Sequence, residues 1–298
     1  MASTTTTTTS RRTWASSDPI HRAGPVATAA GPAILRETEA VQTIVKRRAD
    51  APEEFFAAEA AGLDWLAAAG AIRVPRLTAV GPGWIELERI DEARPDRDAA
   101  AAFGRELART HAAGAAAFGA RPDGWHGPLF IGRRPMAAAS EASWGAFYAR
   151  DRVLPFLEIA EEIGDVTAAE ATAVRRACEL IADGEFDDDD PPARIHGDLW
   201  NGNVLWSASG VVLIDPAAHG GHRETDLAML ALFGCPFLDV VLEGYQHEAP
   251  LRDGWRDRVP LHQLHPLAVH AAGHGRSYGV ALAEAAEAVL DLAGSDRE

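Results

Sequence analysis

The stretch His196-Gly197-Asp198-Leu199-Trp200-Asn201-Gly202-Asn203-Val204-Leu205-Trp206 sets how the rest of the chain is read. It places a carboxylate and an amide at fixed spacing, Asp198-x4-Asn203, just before a short apolar run. Phosphoryl transfer to a hydroxyl needs an acceptor for the hydroxyl proton and oxygen ligands for a divalent cation. Asp198 has the chemistry of the first, and the amide oxygen of Asn203 that of the second. His196 is expected to brace the loop. Downstream, Val211-Val212-Leu213-Ile214 reads as a buried strand ending at Asp215, where a second metal ligand belongs. The intervening Ser-Ala-Ser-Gly at 207–210 makes these two runs a hairpin, which brings both acids to one place.

His-Gly-Asp-x4-Asn followed by a strand-end Asp has the spacing of a kinase catalytic loop and its metal-binding acid. Such a site needs a cation for the nucleotide phosphates, and the chain offers a notable candidate. Of 28 Lys and Arg residues, one is a lysine, Lys46 in Thr43-Ile44-Val45-Lys46-Arg47-Arg48. A compact ammonium can reach a phosphate where a guanidinium fork is too large. Taken alone, a single lysine in an arginine-biased chain is also what chance gives. Glu59 adds a second sign. On a helical wheel starting at Phe55, Glu59 falls at about 40°, between Leu66 and Leu63 and inside the apolar stripe. A carboxylate there either reaches water at the stripe's edge or is paired. Lys46, at the expected end of a strand over Val41–Val45, is the nearby partner. A strand lysine held by a helix glutamate is the phosphate-binding arrangement of kinases. Glu86 and Glu88, on the strand after Gly81-Pro82-Gly83, join the expected nucleotide-binding group.

Working outward, residues 1–18 are Ser/Thr-rich and read as a disordered tail. Residues 19–91 read as a small β-rich lobe. It holds β runs at Ala33–Leu35 and Val41–Val45, a helix over 52–70 opening at Pro52, and a hairpin of Leu77–Val80 with Trp84–Leu87. Residues 92–298 read as a larger, mainly helical lobe. Its helices are expected over 98–117, 143–163 and 167–184, the last opening on a Thr167/Glu170 capping box. The run Asp187–Asp190 is expected to be a solvated acidic loop and not a metal site. Asp226 is expected near a helix start, accepting backbone N–H groups of the catalytic loop. His270 and His274 have i, i+4 spacing. A zinc site lacks an evident third ligand, which leaves a substrate-cleft role open for them. The fold class is α+β, a bilobal protein-kinase-like arrangement.

The totals exclude several classes. A formal net charge of −16 leaves no basic stripe for nucleic acid. No apolar run has the roughly 18 residues of a membrane span. Two cysteines make no disulfide framework, so a reducing cytoplasm is expected.

His-Gly-Asp-Leu-Trp-Asn-Gly-Asn at 196–203 together with Gly221-His222-Arg223-Glu224-Thr225-Asp226-Leu227-Ala228-Met229-Leu230 resembles the fructosamine kinase (ketosamine-3-kinase) family. The likeness covers about residues 40–285. Choline kinases and aminoglycoside phosphotransferases share the fold. The resemblance implies use of ATP and Mg²⁺ to phosphorylate the 3-hydroxyl of a ketosamine or glycated amine. The adduct then breaks down and frees the amine. It also implies that Trp200 walls the sugar, although packing between lobes would serve a tryptophan equally. The stretch 23–35 departs from the family's glycine-rich phosphate loop, having single glycines at Gly24 and Gly31. Two other readings compete: a phosphotransferase of the same fold acting on aminoglycosides or choline, and a nucleotide-binding pseudokinase. A monomer or weak homodimer is expected.

Overall fold

Alternation of side chains about one strand pair accounts for the first layer. The structure is a computed structural model describing residues 42–295. The expected tail at 1–18, the run Ala33–Leu35 and the stretch 23–35 lie outside the described residues. Strand β1 is Thr43–Arg47. It continues one residue past Lys46, which was expected at its end. Helix α1, Phe55–Ala68, starts later than expected. Pro52 lies in a turn closed by the Phe55 N–H, and Glu54 at the N-cap takes a left-handed φ of 62°. Strands β2 (Leu77–Gly81) and β3 (Trp84–Glu88) form the expected hairpin, each one residue longer. The sheet order is β1-β3-β2, all antiparallel. Lys46 pairs with Ile85, so the two share a face. Ile85 is buried with Phe56, Ala60, Leu63 and Leu87 in the core between sheet and helix. Lys46 therefore points at α1.

The chain then becomes mainly helical. Helix α2, Arg97–Ala112, is capped by the Asp96 side chain on the Ala99 N–H. It stops short of the expected 117, because Gly114 adopts φ 73° and turns the chain away. A short hairpin of β4 (Leu129–Ile131) and β5 (Arg134–Met136) follows, unforeseen in the sequence. Next comes one helical run in three parts: α3 (Trp144–Phe147), a wide π segment (Tyr148–Val153) and α4 (Leu154–Glu162). Pro155 cannot donate to Asp151, and the Asp151 carbonyl instead accepts from Arg152 Nη1 at 2.9 Å. Helix α5, Ala168–Ala182, has the expected capping box.

Strand β6 (Ala193–Ile195) leads into the catalytic-type loop. The hairpin β7 (Val204–Ser207) and β8 (Gly210–Leu213) follows, and β9 (His219–Gly221) returns to pair with β6. The backbone around the first sheet clamps this hairpin: Leu213 N–H donates to Arg73 O and Ala93 N–H to Trp206 O. The remaining helices are α6 (Arg223–Phe233), α7 (Leu238–Glu248), α8 (Val259–Ala271) and α9 (Arg276–Ser295). One core joins the π segment, α4, α5, α8 and α9. A second joins α2, α7 and the β7–β8 hairpin. Among the described residues no helix is long and apolar enough to cross a membrane.

The acidic run differs from expectation. Asp187 accepts from Ser143 Oγ and the Gly145 N–H, each at 2.7 Å. Asp190 pairs with Arg223 at 2.6 Å, and Asp188 meets His222 at 3.4 Å. Only Asp189 of the four is exposed. The run is not a solvated loop: the start of α3 holds Asp187, while His222 and Arg223, at the N-cap and start of α6, draw Asp188 and Asp190 inward.

Candidate active site

The site is built on the loop between β6 and β7. Gly197, in that loop, has φ 79°, and its Cα faces the Ala217 carbonyl, leaving no space for a side chain. Asp226, on α6, pins the loop from beneath: its two oxygens accept the N–H groups of His196 at 2.7 Å and Gly197 at 3.0 Å. His111 on α2 donates to the same carboxylate at 3.1 Å, while its other ring nitrogen meets Tyr245 OH of α7 at 2.9 Å. Burial alone would raise the Asp226 pKa, but bonds and charge from His111, with His196, hold it below the usual carboxylate value. The His196 ring bonds the Ile214 carbonyl through Nε2 at 2.9 Å and accepts the Asp198 N–H through Nδ1 at 3.2 Å. Burial lowers its pKa, so it is a neutral brace with its Nε2 protonated.

With the loop held, Asp198 and Asn203 face each other. Asn203 Nδ2 donates to the Asp198 carbonyl at 2.8 Å and to its Oδ2 at 3.3 Å. That leaves Asp198 Oδ1 and the Asn203 amide oxygen for other partners. Burial, with Asp215 and Asp226 nearby, pushes the Asp198 carboxyl up to about 7, against the opposing bond from Asn203. Asp215 sits beyond β8 with a left-handed φ of 54°, a strained backbone for a residue with a side chain. The Ile214 N–H bonds the Asn203 carbonyl at 3.1 Å, which fixes Asn203 and Asp215 side by side.

Lys46 reaches across to this group. Its Nζ lies 2.5 Å from Glu59 Oε1 and 2.5 Å from Asp215 Oδ1. Glu59 is buried, and Asp215 is half open to solvent. Burial pulls the lysine pKa down, but the two carboxylates outweigh it and hold the pKa above the ordinary value. Burial pushes the Glu59 carboxyl up, opposed by Lys46. Five residues drawn from the sequence thus meet in one place. Glu86 and Glu88 do not. They lie on the opposite face of β3 from Ile85, because strand side chains alternate. Glu86 accepts from Thr43 Oγ1, and Glu88 pairs with Arg73 at 2.5 Å, so both brace the sheet.

A row of rings adjoins the acids. Trp200, exposed at 39%, meets Phe233 at 6.2 Å between centroids. Phe233 lies 4.7 Å from His270, which lies 5.0 Å from both His274 and Tyr278. Trp200, His270 and His274 therefore share one surface, joined by Phe233 and Tyr278. Nothing local in the sequence marks those two residues, or Tyr245. His111 did leave a sign, since it follows Phe103 and Leu107 at i, i+4, i+8 on a buried stripe, as Glu59 does in α1.

The donor set suits a hard cation. Asn203 and Asp215 offer amide and carboxylate oxygen, adjacent and partly open, with no thiol or imidazole among them. Asp198 can take a proton, and Lys46 can hold a phosphate.

The chain is similar to known proteins along most of its length. The family model described as fructosamine kinase matches residues 4–292. A protein of Enterococcus faecium named "Probable ketoamine kinase" is 34% identical over 249 residues, 82% of this chain and 86% of the relative. A crystal structure from Thermobifida fusca, called a "putative fructosamine-3-kinase", superposes with a TM-score of 0.79 at 46% identity, covering 85% of this chain and 87% of that one. The choline kinase LicA of Streptococcus pneumoniae superposes with a TM-score of 0.54 at 18% identity, covering 86% and 88%, a likeness of fold. The fold is protein-kinase-like, α+β.

Proposed function

The chain belongs to the fructosamine kinase family, and from that premise we propose that it transfers the γ-phosphoryl group of ATP to the 3-hydroxyl of a ketoamine. The observation that carries this reading is the pairing of Asp198, with its free Oδ1, and the exposed ring of Trp200 two residues on. An acid poised to take a hydroxyl proton stands beside a flat wall for a sugar.

Asp198 Oδ1 accepts the proton of the attacking hydroxyl as the new P–O bond forms and the bond to ADP breaks. Asn203 holds the other carboxylate oxygen and so fixes the direction of the base. Lys46, steadied by Glu59, holds the phosphates. Asn203 and Asp215 would hold Mg²⁺, which when bound neutralises phosphate charge. Catalysis is then mainly positioning and charge stabilisation. The product is a ketoamine 3-phosphate, whose breakdown frees the amine. The proposed setting is the cytoplasm.

The test is ADP release from ATP and Mg²⁺ with a panel of ribulosamines, fructosamines, aminoglycosides and choline. Turnover is expected on ketoamines, absent in Asp198→Ala and lowered roughly 10²–10³-fold in Lys46→Met. Turnover confined to aminoglycosides or choline would keep the phosphotransfer and refute the substrate. No turnover on any acceptor would leave a nucleotide-binding protein without catalysis.

A further inference from the structure

Two arginines are buried among the described residues, Arg152 and Arg194. Arg194 has Asp123 at 3.7 Å. Arg152, in the π segment, is 1% exposed and has no carboxylate partner among the described residues. Burial pushes its pKa down to about 9, so it stays charged at neutral pH. A buried cation without a counter-charge is costly, and an apolar side chain of similar volume would serve packing better. Wide π turns are frequent at functional sites.

The guanidinium lies 4.5 Å from the Phe147 ring centroid, and its Nη1 donates to the Ala137 carbonyl at 2.8 Å. Its Nε donates to His219 Nε2 at 3.3 Å. An arginine N–H can only donate, so that ring nitrogen must accept. The ring proton is then on Nδ1, which donates to the Ala217 carbonyl at 2.8 Å. Burial and the facing guanidinium both keep His219 neutral. Arg152 thus fixes the tautomer with which His219 holds Ala217.

Ala217 stands two residues after Asp215. Its N–H donates to the His196 carbonyl at 3.0 Å, and its own carbonyl lies against Gly197. Pro216, with its φ locked, joins this fixed residue to Asp215. A left-handed backbone like that of Asp215, φ 54°, persists only where its surroundings hold it. On the other side Ile214 is held by the Asn203 carbonyl and the His196 ring. Arg152 and His219 close the second arm of a clamp on Asp215.

We propose that Arg152 is a positioning residue for the divalent cation: through His219 and Ala217 it keeps Asp215 in place beside Asn203 for Mg²⁺. The inference rests on the phosphotransferase reading of this site.

The test is the Kd of a non-hydrolysable ATP analogue on the full-length protein, with Mg²⁺ and with chelator. The ratio of the two is the gain that Mg²⁺ gives. In Arg152→Met, of similar volume, that gain is expected to fall roughly tenfold while the Kd in chelator holds. His219→Ala should lose the gain as well, and Arg152→Met should add nothing in that background. An unchanged gain in Arg152→Met refutes the proposal, as do additive losses in the double variant. A loss equal with and without Mg²⁺, or a lower melting temperature with the gain intact, marks a packing brace and also refutes it. Should Arg152→Met not fold, His219→Ala and the wild type decide. An unchanged gain in His219→Ala overturns the proposal, and so does a His219 ring protonated on Nε2 in the nitrogen NMR spectrum of the wild type. Failure of the phosphotransferase reading shows differently, as no gain from Mg²⁺ in the wild type itself, and it takes this proposal with it.

Discussion

Asp198 is held between two demands. To take a proton it must be ionised, yet burial and the nearby Asp215 and Asp226 push its carboxyl up to about 7. An unfolded aspartate titrates near 3.9. A pKa raised on folding means the folded chain binds that proton more tightly than the unfolded one. The stabilising contribution is complete below about pH 4 and is lost as pH rises through about 7. Asparagine carries no such charge. In the absence of nucleotide and magnesium, Asp198→Asn is therefore expected to melt above the wild type at pH 8, with the gap narrowing toward pH 5. Its turnover should fall about 10²–10⁴-fold. Equal melting temperatures at pH 8 would mean that the carboxylate is not strained by its surroundings. The residues that meet at this point were legible in sequence for separate reasons. Asp198, Asn203 and Asp215 stand at a motif's spacing, and Glu59 is an acid in an apolar stripe. Phe233 and Tyr278 were not legible, because nothing local marks a ring that will meet another from a different helix. Glu86 and Glu88 were misplaced because the face a strand turns inward is set by its partner's register.

At the scale of elements, α8 carries a proline in its interior. Pro266 has no N–H to give the His262 carbonyl. The Tyr148 hydroxyl, from the π segment, fills the gap. It donates to the His262 carbonyl at 2.9 Å or the Leu261 carbonyl at 3.1 Å and accepts the His265 N–H at 3.0 Å. One buried hydroxyl thus mends the helix that bears His270. Tyr148→Phe leaves these groups unpaired and should cost about 1–3 kcal/mol in urea unfolding. In a Pro266→Ala background, residue 266 can donate to His262 itself. The same tyrosine change is then expected to cost less, with a coupling of roughly 0.5–3 kcal/mol. Additive losses would show that the hydroxyl does not serve the helix break. Long elements with caps were readable, as the Thr167 capping box shows. The three-residue strands β4, β5, β6 and β9 were not, since so few residues display no alternation, and β5 contains Pro135. The ends of α1 and α2 shifted because left-handed turns at Glu54 and Gly114 outweigh propensity.

For the whole molecule, the site draws on residues from Lys46 to Tyr278, so no single element contains it. Lys46 comes from the first sheet, Glu59 from α1, Asp198 and Trp200 from the loop after β6, and the other rings from α6, α8, α9 and the turn between the last two. A ligand that bridges these segments binds the folded chain and has no counterpart in the unfolded one. Binding must then appear as stability, about 2.7 kcal/mol at a ligand concentration of 100 Kd. ATP with Mg²⁺ is expected to raise the melting temperature of the wild type, with nucleotide alone giving less. Asp198→Asn should gain at least as much, because proton acceptance is separate from holding the nucleotide. Asp215→Ala should lose most of the magnesium-dependent part, since that acid is both a proposed metal ligand and the partner of Lys46. If Asp198→Asn lost the shift as well, binding and catalysis would not be separable in this site. If Asp215→Ala kept it in full, the cation would have to be held by other oxygens than Asn203 and Asp215.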